Sequence, residues 1–163
     1  MVISDRRPRL FVAVLGATLA LMASVAPVGA GTPQQVHIVA YMTKQGTGTF
    51  EATGNAVVHG LVCERGTVLG IGDIFGGYQS GQKVQIRSRV ELTCTDANGV
   101  PDGSGTFVIQ RQIHVVFGGD EPFEWVVLGG TGDYDGLGGR GSGVTADNTP
   151  TSNTNIYDGF LLP

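Results

Sequence analysis

From Val84 onward the chain alternates apolar and polar residues with a period of two. Val84, Ile86, Val90, Leu92 and Cys94 share one face, interrupted only by Ser88, while Gln85, Arg87, Arg89, Glu91 and Thr93 occupy the other. A helix cannot segregate such a pattern, whereas a half-buried antiparallel strand does so directly. Thr106–Phe117 repeats it, with Phe107, Ile109, Ile113, Val115 and Phe117 on one side. Between the two runs lies Asp96-Ala-Asn98-Gly99-Val-Pro101-Asp102-Gly103, rich in turn formers, so the pair reads as a long hairpin.

Further strand candidates are Val36–Thr43, Thr47–Val58, Leu61–Ile71, Phe123–Leu128, Arg140–Ala146 and Asn155–Leu162. Asp73–Gly81 reads as a turn-rich connection. No segment after residue 30 sustains a 3.6-residue period. The expectation is an all-β domain of seven or eight short strands, either a sandwich or a barrel. Short connections suit an up-and-down barrel, and glycines within strand patterns (Gly54, Gly66, Gly141, Gly143) suit the bends that closure requires. A β-sandwich is the alternative, since periodicity does not reveal strand order.

Residues 1–30 read as a signal peptide. Arg6, Arg7 and Arg9 precede an apolar run over Leu10–Val25, and Val28-Gly29-Ala30 supplies a small-x-Ala cleavage pattern. Residues 31–163 then form a single secreted domain with no membrane segment once the leader is removed. Export also gives a meaning to Cys63 and Cys94, an even pair expected to form a disulfide. The formal net charge of −4 offers no footprint for nucleic acid.

Most of the chemical motifs that a glycine-rich chain evokes fail on context. Gly136-Leu-Gly138-Gly-Arg-Gly141 fits G-x-G-x-x-G, but a strand and a turn follow it rather than a helix that could face a pyrophosphate. Gly129 onward places Tyr134 where a calcium nonapeptide needs Asp, and no EF-hand Glu is present. His37, His59 and His114 lack metal-ligand spacing, so neither a metal nor another cofactor is expected. Gly103-Ser104-Gly105 and Gly141-Ser142-Gly143 miss the spacing of a nucleophile elbow.

Two positions stand out as candidate ligand-binding residues. By parity Arg111 shares the face of Phe107, Ile109, Ile113 and Val115, where a lone charge is costly. It is expected to turn outward at a bulge, to pair with an internal Asp or Glu (Glu51 and Glu124 being candidates), or to bind a ligand carboxylate in a cavity. Tyr134, flanked by Asp133 and Asp135, sits in a glycine-rich corner between two strands, as a plug or as part of a hydrogen-bonding rim.

That corner, Gly129-Gly130-Thr131-Gly132 with Tyr134, Gly136 and Gly139-Arg140-Gly141, resembles the late hairpin of the allene oxide cyclase/dirigent barrel superfamily. Tyr157-Asp158-Gly159-Phe160 lies where that family's closing strand would be. Phe50-Glu51-Ala52-Thr53-Gly54 and Gly60-Leu61-Val62-Cys63 are similar to exported bacterial members. The resemblance implies an eight-stranded antiparallel barrel that binds or orients a small hydrophobic ligand. Plant members isomerise a fatty-acid epoxide or orient phenolic radicals. A cyclase or isomerase acting in the barrel, and a structural module with a filled interior, are the alternatives.

Overall fold

The computed structural model describes residues 31–79, 83–115 and 119–163. The expected signal peptide and the end of the strand expected over Thr106–Phe117 lie outside them. The chain forms β1 (Gln34–Thr43), β2 (Thr47–Thr53), a helical turn α1 (Asn55–Val58), β3 (Arg65–Gln79) and β4 (Lys83–Thr95). There follow β5 (Pro101–Val115), β6 (Glu121–Gly130), a 3-10 turn (Gly132–Tyr134), β7 (Gly138–Ala146) and β8 (Ser152–Leu162). Each strand pairs antiparallel with the next, and β8 pairs with β1 from Gln34↔Leu161 to Thr43↔Ser152. The result is a closed, up-and-down, eight-stranded barrel, which excludes the sandwich. Among the described residues no helix is long and apolar enough to cross a membrane.

Alternation decides which way each side chain points. Val90, Leu92 and Cys94 on β4 and Phe107, Ile109 and Ile113 on β5 are buried, while their neighbours Arg89 and Gln112 are exposed. Along the axis the interior is filled largely by aromatic rings. Phe50, Phe107 and Tyr134 pack at one end, with centroids 6.4 and 5.3 Å apart, and Phe123, Trp125 and Tyr157 pack in the middle. Trp125 fits because its inward-facing partners in register on β7 and β8 are Gly141 and Gly159. A Cβ on Gly141 would stand 2.8 Å from the Trp125 ring, and one on Gly159 would stand 2.6 Å from it. These glycines make room for an indole, and the ring nitrogen donates to the Ser142 carbonyl at 3.0 Å.

Three strand expectations need correction. The strand expected over Thr47–Val58 stops at Thr53, because Gly54 turns the chain at φ 105° and Asn55–Val58 winds into a helical turn. That turn buries Ala56 completely beneath the barrel. The strand expected over Leu61–Ile71 begins only at Arg65, since the preceding residues continue the plug, with Val62 buried and Cys63 bonded to Cys94. The connection expected over Asp73–Gly81 is instead strand as far as Gln79. The ladder shifts register between Gly70 and Gly72, just before this segment, and between Gly76 and Gln79 within it. Backbone ladders need no side chains, so turn-forming composition did not prevent pairing.

The two ends of the barrel differ. One is closed by α1, by the chain leading to Cys63, and by the Gly129–Gly138 corner, which buries Tyr134 and Leu137. The disulfide ties this plug to the β4 wall, with the Cα atoms 5.9 Å apart. The other end carries the β1–β2 and β7–β8 turns, and the described residues there leave a mouth.

Candidate functional site

Arg111 lies inside the barrel, 7% exposed, between Ile109 and Ile113 on β5. The outward bulge is excluded. Its register partners are Ser88 on β4 and Trp125 on β6. One terminal guanidinium nitrogen donates to Asn155 Oδ1 at 2.7 Å, and the other donates to Ser88 Oγ at 2.8 Å. The charge lies 5.7 Å from the centroid of Phe123, in cation–π range. Thr145 Oγ1 also donates to Asn155 Oδ1, at 2.9 Å, and Asn155 Nδ2 donates to Asn153 at 2.8 Å. One polar network therefore spans β4, β5, β7 and β8 at a single level of an otherwise apolar interior.

The network is rich in donors and short of negative charge. Glu51 and Glu124, the expected internal partners, are both exposed on the outside of the barrel. The side chains of residues 73–83 lie outside the description; among the other described residues the ion pairs are His37–Asp158 and Arg65–Glu64, both at the surface. So among the described side chains the guanidinium is held by neutral oxygens, those of Asn155 and Ser88. Backbone register sets Asp73 of β3 opposite Ser88. Among the described residues, two buried polar atoms in this region have no partner at hydrogen-bond geometry, Arg111 Nε and the Tyr157 hydroxyl. Burial pushes the Tyr157 phenol pKa upward, and the nearby Arg111 charge opposes that shift. Leaving such groups unpaired costs about 1–3 kcal/mol each.

Above this network the open end holds a cavity of about 330 Å3. Met42, Ile86, Val90 and Ile113 form its apolar wall, and Ser88, Arg111, Thr145 and Asn155 form its polar base. Among the described side chains, half-buried Glu121 is the carboxylate that lines it, and Lys44 and Asn148, hydrogen-bonded to each other, stand at the rim. The arrangement combines an apolar wall with a few convergent polar groups, as small-molecule sites do, at the low end of their usual ~300–1,000 Å3 range.

Tyr134 lies at the opposite, closed end and does not line this cavity. It is 5% exposed, with its hydroxyl 2.8 Å from Cys94 Sγ and 3.2 Å from Ser104 Oγ. Burial raises its pKa as well, with the Ser104 contact opposing. Asp133 and Asp135 flank it in solvent. The structure thus separates the two residues singled out as candidate ligand contacts. Arg111 belongs to the cavity, and Tyr134 belongs to the plug beside the disulfide.

Ser88, Thr145 and Asn155 complete the site. Ser88 had a visible signal, being the one polar residue on the apolar face of its strand. Asn155 had a weaker one, since it shares parity with Tyr157 and Leu161. Thr145 had none. His37 pairs with Asp158 at 2.7 Å on the outer surface, and His59 and His114 are exposed. A wider groove of about 730 Å3 crosses the outside of β5–β8 beside Phe160 and Val126. Its charged residues, Glu124, Arg140 and Asp158, are all exposed, so it holds no desolvated group comparable with Arg111. No family model matches this chain, and no curated protein matches it either.

Proposed function

We propose that the chain is an exported barrel protein of the allene oxide cyclase/dirigent-like type, which binds or orients a small hydrophobic ligand in its open mouth. The observation that carries this reading is the one-ended cavity. Its wall is Met42, Ile86, Val90 and Ile113, its base is a polar network, and its far end is sealed by the disulfide-tied plug. A barrel built only as a scaffold gains nothing from keeping Arg111 and Asn155 in its interior, because apolar residues of similar volume fill such a space at lower cost. Support for export comes from the leader pattern over residues 1–30 and from the disulfide.

A second reading has its own observation. The closed half of the barrel is packed by its own aromatic side chains, as a structural module would be. The two readings differ at the mouth. Native mass spectrometry of the exported protein, purified from its host without denaturation, is expected to show a co-purifying small molecule. Ile86→Trp, which fills the cavity from its rim, is expected to leave the barrel folded and to remove that molecule. Protein that carries nothing, and that takes up no apolar probe at millimolar concentration, would favour the filled module.

A further inference from the structure

We propose that the ligand of the open mouth is a compact organic carboxylate, held head-down on Arg111 and Ser88, with Arg111 as the residue that selects acid over neutral analogue. This rests on the reading of the mouth as a ligand site and gives that ligand its chemical class.

A guanidinium carries five N–H groups, and among the residues whose side chains are described Arg111 donates two hydrogen bonds, both to neutral oxygens. Nε has no partner among them. The Ser88 hydroxyl accepts from Arg111, which leaves its own proton free to donate. Thr145 and the Asn155 amide nitrogen are already committed to Asn155 Oδ1 and Asn153. The donors left over at the base of the cavity are therefore those of Arg111 and Ser88, and they belong to a charge 93% withdrawn from solvent (7% exposed). A planar two-oxygen anion matches a guanidinium face better than any neutral acceptor does. In a low-dielectric site such a preference is large, because no carboxylate among the described side chains forms an ion pair with Arg111.

The cavity sets the size. At the roughly 30 Å3 that a water-sized atom occupies in a liquid, about 330 Å3 holds about eleven heavy atoms. Whereas a longer chain would project from the mouth, a medium-chain or monocyclic acid is enclosed by that volume. Its apolar body would lie against Met42, Ile86, Val90 and Ile113, with the carboxylate at the base. Lys44 at the rim adds positive potential along the approach to the mouth, and Glu121 in the same lining opposes it, which leaves Arg111 as the cation at the base.

The test is calorimetric titration of the disulfide-intact chain from residue 31 at neutral pH, with octanoate and with 1-octanol as its neutral counterpart. Octanoate is expected to bind at least about tenfold more tightly. Arg111→Gln is expected to abolish the difference while leaving octanol binding within about threefold of the parent. Ser88→Ala removes one donor without touching the charge, and it should weaken octanoate alone by about three- to tenfold. Asp73→Asn should keep the preference intact. Equal affinity for acid and alcohol would overturn the assignment while leaving the mouth a hydrophobic site. A preference that emerges only in Asp73→Asn would overturn it too, making Asp73 the permanent counter-ion. Binding of neither compound would remove the ligand-site reading itself.

Discussion

Replacing Cys63 and Cys94 together by alanine is expected to lower the unfolding free energy by about 3.5 kcal/mol, the chain-entropy value for a loop of this length. The bond spans 31 positions and joins the plug to the barrel wall. The buried anchors of that plug are Ala56 and Val62, with Val57 and Leu61 packed partly against the core. The loss should therefore have two parts. Urea unfolding should shift its midpoint with little change in slope. Amide exchange near Ala56 and Val62 should rise further than in the β4–β5 core, because the plug can then open without the barrel. A loss below about 1 kcal/mol would show that the closed end is held by packing alone.

Gly141→Val is expected to be as damaging, at about 4 kcal/mol. Overpacking a tight core costs about 1–3 kcal/mol, and each hydrogen bond lost adds about 1. The valine would collide with the indole of Trp125 and with the cross-strand carbonyl of Asp158. Displacing the ring also breaks its donation to the Ser142 and Asp158 carbonyls. Gly138→Ala on the same strand is the control. Its Cβ would meet the Leu162 side chain at 3.6 Å, an ordinary contact, so stability should stay within about 0.5 kcal/mol of the parent. Trp125→Leu should recover part of the Gly141→Val loss, with a coupling of about 1–2 kcal/mol. Thermal melts that place Gly141→Val beside Gly138→Ala would contradict the wedge.

The strands were legible where side chains alternate strongly, as in Val84–Cys94, because burial there is decided by parity alone. They were illegible where closure and capping decide the path. Asp73–Gln79 pairs through its backbone in spite of its turn-forming residues. Thr47–Val58 carries no mark of the point where the strand gives way to the plug, beyond Gly54. Gly141 and Gly143 were visible as strand glycines, yet neither adopts a positive φ. Gly141 makes room for Trp125 and Gly143 for Phe123, a contact across strands that no local pattern displays.

The site was partly legible for the same reason. Arg111 declared itself by breaking an apolar face, and so did Ser88. Their meeting with Asn155 and Thr145 depends on the tilt and register of a closed barrel, which brings β7 and β8 against β5 across the interior. Of the two expectations for Tyr134, plug or hydrogen-bonding rim, its burial beneath the glycine corner fits the plug, and as a candidate ligand contact it stands apart from the cavity. Its distance from Arg111 followed only once each strand end was assigned to the closed or the open side.

Nuclear magnetic resonance mapping of octanoate onto the uniformly labelled chain confronts the ligand-site account with a spatial answer. The account predicts shifts confined to the open mouth, at Val90, Arg111, Ile113, Thr145 and Asn155, with Ala56 and Tyr134 at the closed end unmoved. Shifts gathered instead around Phe160 and Val126 on the outer face, or spread without focus over the surface, would contradict it.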